Sequence, residues 1–261
     1  MLEGFDLSGR IAIVTGGGTG IGRAIALLLA ERGADVALVA RRADKLEETA
    51  AEIRALGRQA LCIPADVRDP EAVQAMVAAV ADHFGRLDVL INNAGGNHAH
   101  IGLAKMSTEG WDRDISLNLS AAQYCSQAAF PHLRASKGTI VHISSVAGVK
   151  GTNGVGAYSA AKAGLQMLTR VQASEWGPHG IRVNCVAPGM TATENAHAGW
   201  AKTGFDAAAV AKTAFALGRY GECREVAQMV VFFASDAASY ISGETVSVSG
   251  GPVLGGMVAV D

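Results

Sequence analysis

Residues 11–22 read IAIVTGGGTGIG: a short apolar run passes into a glycine-rich turn and then into an amphipathic stretch. Apolar residues without alternation fit a strand buried on both faces. The glycines let a backbone approach a pyrophosphate closely, and the helix they open offers amide donors and a positive dipole end to an anion. The useful glycines are Gly16, Gly20 and Gly22, spaced G-x-x-x-G-x-G rather than the commoner G-x-G-x-x-G, with Gly18, Thr19 and Ile21 completing the turn. The competing reading is a tight packing turn. Its place after a strand, at a helix start, favours a dinucleotide.

The alternation continues along the chain. Strand-like runs follow at 35–40 (DVALVA), 60–65 (ALCIPA), 88–92 (DVLIN), 139–144 (TIVHIS), 182–187 (RVNCVA) and 245–249 (TVSVS). Helical periodicity occupies 20–34, 43–56, 69–84, 108–134, 157–176 and 222–235. This pattern predicts an α/β fold: a single-domain, Rossmann-type, doubly wound parallel sheet of seven strands with helices on both faces. No linker, repeat or low-complexity tract interrupts residues 1–261, so one domain is expected.

Composition excludes several classes. Apolar residues make up 49% and charged residues 18%, with a formal net charge of -2. There is no basic excess for nucleic acid and no apolar run of the ~18 residues a membrane helix needs. The N-terminus MLEGFDLSGR does not read as a signal peptide. Cys62, Cys125, Cys185 and Cys223 lack C-x-x-C spacing and read as reduced, packed thiols, consistent with a cytoplasmic protein.

Strand ends then suggest a cofactor site. An acid at the end of the second strand would bond the 2′-hydroxyl of NAD, whereas arginine suits the 2′-phosphate of NADP. Asp35 starts that strand, at the wrong edge, and the strand runs into Arg41 and Arg42. The expectation is NADP(H) in preference to NAD(H). Asp66 and Val67 follow the third strand, near the adenine. Asn93, Ala94 and Gly95 follow the fourth and leave room for a ribose, while Pro188, Gly189, Thr191 and Thr193 follow the sixth and offer hydroxyls to a carboxamide or phosphate. Residues 194–220 carry Trp200, Phe205, Phe215 and Tyr220, which suggest a mobile cover over a mostly apolar substrate; aromatics packed on the domain are the alternative. His98 and His100 have no metal spacing and are expected to line the substrate mouth or face water, and His142 reads as a hydrogen-bonded core residue.

The chemistry is expected in residues 145–162, SVAGVKGTNGVGAYSAAK. Tyr158 and Lys162 stand one helical turn apart on one face. Moving a phenol from a pKa of about 10 to about 7 takes roughly 4 kcal/mol, and one positive charge ~4 Å away supplies ~4 kcal/mol at an effective dielectric of about 20. Lys162 alone nearly suffices on that reckoning, and an oxidised nicotinamide adds a second positive charge. Tyr158 then becomes an acid and base near neutral pH, and Ser145 would hold a substrate oxygen.

TGGGTGIG, NNAG after the fourth strand, Asn118, Ser145 with Tyr158-x-x-x-Lys162, PG after the sixth strand and the final ISGETVSVSGG together resemble the classical short-chain dehydrogenase/reductase family, over nearly the whole chain. The resemblance implies Tyr158 as proton donor or acceptor, with Lys162 lowering its pKa and holding the nicotinamide ribose. It further implies that Ser145 binds the substrate oxygen and that Asn118 anchors a water relaying protons to Lys162. It also implies a homotetramer built on the helices of Asn118 and Tyr158, where Ala121, Ala122, Ala160, Ala161, Ala163 and Gly164 permit close packing. Carrier-protein ketoacyl reductases of the family tend to carry arginines where this chain has Ser136-Lys137 and His179, which weakens a 3-oxoacyl-[acyl-carrier-protein] reductase assignment. The leading expectation is an NADPH-dependent enzyme moving hydride between nicotinamide and a small-molecule ketone or secondary alcohol. A non-catalytic dinucleotide sensor or scaffold is the alternative from another class.

Overall fold

Strand β1 (Ile11–Thr15) sends Ala12 and Val14 into one core and Ile11 and Ile13 into another, with all five of its residues buried. A sheet apolar on both faces must be covered twice, and the rest of the chain supplies the two layers. The structure, a computed structural model, describes residues 4–97 and 100–251.

After β1 come α1 (Gly20–Glu31), β2 (Asp35–Ala40), α2 (Ala43–Ala55), β3 (Ala60–Pro64), α3 (Pro70–Phe84) and β4 (Val89–Asn92). Then follow α4 (Thr108–Ile115), a π-helical turn (Ser116–Ser120), α5 (Ala121–Ser136), β5 (Thr139–Ile143), α6 (Gly156–Trp176) and β6 (Arg182–Pro188). The chain continues through the two-residue β7 (Thr191–Ala192), α7 (Glu194–Thr203), α8 (Ala207–Ala214), the two-residue β8 (Gly221–Glu222), α9 (Cys223–Ala234) and β9 (Thr245–Val248).

The main sheet has seven strands in the order β3-β2-β1-β4-β5-β6-β9, each pair parallel. Helices α1, α2 and α9 close one face with residues such as Ile25, Leu46, Ile53 and Phe233. On the other face α3, α5 and α6 contribute Val73, Met76, Leu133 and Trp176. The direction of winding reverses between β1 and β4, which leaves a crevice at the carboxyl ends of those strands.

Local signals set the helix ends. Asp69 caps α3 by accepting from the Glu71 amide at 3.0 Å, Pro70 sits at its first position, and Gly85 closes it with φ 75°. In α9 the Glu225 carboxylate accepts from the Glu222 amide at 2.8 Å, half of a reciprocal cap.

Two expectations are corrected. The helix read over 108–134 is broken by the π turn at Ser116–Ser120 and runs on to Ser136. Residues 194–220, read as a mobile cover and given no helix in the sequence pattern, contain α7 and α8, and β8 pairs with β7. Their signals are present in the sequence: Thr193 and Asp206 accept from amides three residues on, and Gly204 ends α7 with φ 66°. Low apolar periodicity in this alanine-rich stretch hides them. All four cysteines are free thiols, and burial pushes Cys62 and Cys223 up to about 11 and Cys125 to about 12, which disfavours their thiolates. No described helix is long and apolar enough to cross a membrane.

A polar thread crosses the second core. His142 Nδ1 lies 3.2 Å from Asn92 Nδ2 and its Nε2 lies 2.9 Å from Gln172 Oε1; Gln172 in turn donates to Gln123 Oε1 at 2.9 Å. Asn92 and Gln172 between them require Nδ1 to accept and Nε2–H to donate, so the ring is neutral. Burial pushes the His142 pKa down from 6.5 to about 4. The unfolded chain takes up a proton that the folded one refuses, so stability from this group is fully present above pH 6.5 and lost as the pH falls towards about 4. Denaturant unfolding across that window should show a component with a slope of up to about 1.4 kcal/mol per pH unit that a His142→Gln protein lacks.

Candidate active site

The glycine turn is fastened to the switch point by one hydroxyl. Thr15 Oγ1 donates to the Ile91 carbonyl at 3.1 Å and accepts from the Asn93 and Ala94 amides at 2.9 and 3.0 Å, while Asn93 Nδ2 returns a bond to the Thr15 carbonyl at 2.8 Å. These bonds lock the ends of β1 and β4 together. Close approach then fixes the third glycine, because a Cβ on Gly22 would stand 2.5 Å from Asn93 Nδ2 and nearer still to the Gly16 carbonyl oxygen. Thr19 caps α1 without a side-chain bond, and Gly18 packs against Lys45. The Gly20 amide, at φ +55°, donates to a carboxylate oxygen of Glu194 at 2.9 Å. The turn therefore already holds an anionic group.

Arg41 and Arg42 lie exposed just past β2 and make no ion pair among the described residues. Asp35, at the opposite edge, pairs with Arg58 at 2.7 Å and accepts from the Gln59 amide at 2.8 Å, tying β2 to β3. Val67 is buried. Asp66 is held by Arg68, whose Nε donates at 3.0 Å, and that bond lowers its carboxyl to about 2.

Beyond β4 and β5 four groups converge. A Cβ on Gly95 would lie 2.7 Å from Asn118 Oδ1 and 3.0 Å from Lys162 Nζ. Asn118, in the π turn, spends its amide on backbone: Oδ1 accepts from Gly96 at 2.9 Å and Nδ2 donates to Gly96 and Asp114 carbonyls at 3.0 Å each. Lys162 is buried and donates to the Ile143 carbonyl at 2.7 Å, with its nitrogen 5.6 Å from the Tyr158 ring centre. Ser145 stands beside the Tyr158 hydroxyl and draws its pKa down. Ser145 also caps the short turn after β5, accepting from Ala147 at 3.1 Å.

The electrostatics differ from the simple expectation. Burial pushes the Tyr158 phenol above its usual value, with Ser145 drawing it back only in part. Burial also lowers Lys162 from 10.5 to about 8. Lys162 alone therefore does not bring the phenol near neutrality: its ammonium is turned to a carbonyl, and desolvation of the phenolate outweighs it.

Other predicted residues fall as follows. Past Pro188, Gly189 bonds β9 through the Val248 carbonyl at 2.9 Å. Thr191 Oγ1 donates to Gly189 at 3.1 Å, and Thr193 Oγ1 caps α7 by accepting from Ala196 at 3.0 Å. Trp200 gathers His197, Tyr220 and Phe205 at ring distances of 5.0, 5.4 and 6.5 Å, whereas Phe215 packs towards Gly250. His100 is exposed beside Gly154, and His98 lies outside the described residues. Ser136, Lys137 and His179 stand at the edge of the sheet opposite the crevice, where β5 and β6 begin. No cluster of three metal-ligating side chains occurs among the described residues.

Sequence reasoning missed Gln166. Its Nε2 donates to Ser144 Oγ at 2.9 Å and to the Ser145 carbonyl at 3.3 Å, while Ser144 Oγ donates to the Lys162 carbonyl at 2.9 Å. The serine loop is thereby tied to the helix that carries Tyr158. The signal was the spacing, since 158, 162 and 166 form one stripe on α6.

A family model described as enoyl-(acyl carrier protein) reductase matches residues 16–252. A short chain dehydrogenase/reductase, astE, from Aspergillus oryzae is 39% identical over 250 residues, covering 95% of this chain and 96% of that protein. The 3-oxoacyl-[acyl-carrier-protein] reductase FabG of Staphylococcus aureus is 41% identical over 244 residues, covering 93% and 97%. Among solved structures, carveol dehydrogenase from Mycobacterium avium in complex with NAD superposes with a TM-score of 0.89 at 30% identity, covering 94% and 98%.

Gln166→Met should lower stability by about 1–3 kcal/mol through its two lost donors. Gln166→Glu should cost more, because a carboxylate cannot donate to the Ser145 carbonyl; urea unfolding measures both.

Proposed function

The chain belongs to the short-chain dehydrogenase/reductase family, oxidoreductases acting between CH–OH and C=O with a nicotinamide cofactor, and from that premise we propose an NADPH-dependent carbonyl reductase, or the reverse alcohol dehydrogenase, with Tyr158 as acid and base. The observation that carries the reading is Tyr158 beside Ser145 with the buried Lys162 nitrogen 5.6 Å from the tyrosine ring centre, at the same sheet edge as the glycine turn.

The residues present fit a dinucleotide. The Gly20 amide already donates to a carboxylate as it would to a phosphate oxygen, Gly16 and Gly22 pack with no room for a side chain, and Arg41 and Arg42 make no ion pair among the described residues at the ribose end. Gly16, Gly18, Thr19, Gly20, Ile21 and Gly22 would hold the pyrophosphate. Arg41 and Arg42 would hold the 2′-phosphate, and Asp66 and Val67 would border the adenine. The nicotinamide half would rest on Asn93, Ala94, Gly95, Tyr158, Lys162, Pro188, Gly189, Thr191 and Thr193. When bound, the nicotinamide supplies or takes up the hydride.

The chain's own groups handle the proton. In reduction the Tyr158 hydroxyl gives its proton to the substrate oxygen, which Ser145 orients, and the reverse reaction returns it. Lys162 is the nearest cation to the phenolate so formed. Because burial keeps the phenol high in the free chain, the positive charge of an oxidised nicotinamide is the second influence that would lower it. Asn118 holds Gly96 and so sets the floor beneath Lys162, where a relaying water would sit.

The aromatic cluster on α7, with exposed Leu103, Val149 and Phe205, supports a mostly apolar ketone or secondary alcohol as substrate. Exposed Met167 and Val171 on α6 support assembly into a homotetramer. A second reading, 3-oxoacyl-[acyl-carrier-protein] reductase, draws on the relative of that name.

Tyr158→Phe should lower turnover in a ketone screen by roughly 10²–10⁴-fold while NADPH still binds; wild-type turnover would refute the mechanism. Arg41→Asp should weaken NADPH far more than NADH in parallel titrations, and equal effects would rule out the NADP assignment.

A further inference from the structure

The carboxylate on the glycine turn comes from a distant part of the chain. Glu194 is the first residue of α7, yet its Oε2 accepts from the Gly20 amide at 2.9 Å rather than serving its own helix. That helix has its own cap, since Thr193 Oγ1 takes the Ala196 amide. Helix α1, by contrast, has no acid in its first turn and no side-chain bond from its cap residue Thr19. Glu194 therefore supplies what α1 lacks. The neighbouring side chain closes in as well, because a Cβ on Gly20 would lie 3.2 Å from the Thr193 methyl carbon. A helix N-terminus with free amides attracts anions, and two groups cannot share one amide at full strength.

We propose that Glu194 is a determinant of cofactor affinity: its carboxylate competes with the dinucleotide pyrophosphate for the Gly20 amide, and cofactor entry displaces the start of α7. The inference rests on the reading of the glycine turn as the pyrophosphate site. Since α7 carries the Trp200 cluster, each entry of cofactor moves the element proposed to cover the substrate. The cost to affinity is the fraction of molecules in which the contact is closed. A contact closed in nine molecules of ten weakens apparent binding roughly tenfold.

The test is direct titration of the full chain with NADPH and with NADH, read by nucleotide fluorescence, for wild type, Glu194→Ala and Glu194→Asp. The aspartate variant keeps the charge but is one methylene short of the Gly20 amide. Both variants should bind both nucleotides roughly three- to tenfold more tightly, because the pyrophosphate is common to the two. Amide exchange in α7 should also be faster in the unliganded variants and change less on adding NADPH. An aspartate variant that binds as weakly as wild type, with only alanine tightening, would assign the effect to through-space charge and overturn the proposal. Unchanged affinity in both variants would overturn it too, while leaving the cofactor site standing. Wild-type protein that binds neither nucleotide would overturn the site and the proposal together.

Discussion

The site depends on one buried ammonium. Lys162 is taken from water and donates to the carbonyl of Ile143 at the end of β5. Burying a charge is unfavourable unless it is paired or hydrogen-bonded, and the low Lys162 pKa reflects that cost. The surrounding structure is arranged to tolerate it. Gly95 leaves room beside the nitrogen, Asn118 fixes the loop that carries Gly95 and Gly96, and Ser144 and Gln166 clamp the helix to the strand end. The ammonium sits one turn from Tyr158 on its own helix and close to the loop of Ser145, so the same unfavourable burial that strains the free protein keeps a cation within reach of the phenol.

The architecture was legible because each strand announces itself. IAIVT, DVALVA and TIVHI are short and apolar on both faces, a pattern that only a doubly covered parallel sheet satisfies. Register was beyond reach, and so was the π turn at Ser116–Ser120, since one extra residue per turn leaves the apolar spacing almost unaltered. In α7 and α8 the capping residues Thr193 and Asp206 were visible, but alanine carries no facial contrast and no helix was assigned there.

The site was legible in part. Glycine, tyrosine and lysine at fixed spacing point to their neighbours along the chain, and the structure brings Tyr158, Lys162, Ser145 and Asn118 to one sheet edge. Contacts between distant segments were silent. Nothing in the sequence links Glu194 to Gly20, or Gln166 to Ser144, since those pairs meet only after the sheet has assembled. The sign of the phenol's shift was hidden for a related reason. It turns on burial and on where the lysine points, and neither is a property of spacing.

The thread from Gln123 through Gln172 and His142 to Asn92 joins two helices to two strands by side chains whose donor and acceptor senses are mutually fixed. Reversing the Gln172 amide sets like against like at both His142 and Gln123. Such a set drifts as a block: a lineage that lost the imidazole would be pressed to exchange the glutamines too, or to fill the space with hydrocarbon in a single concerted change.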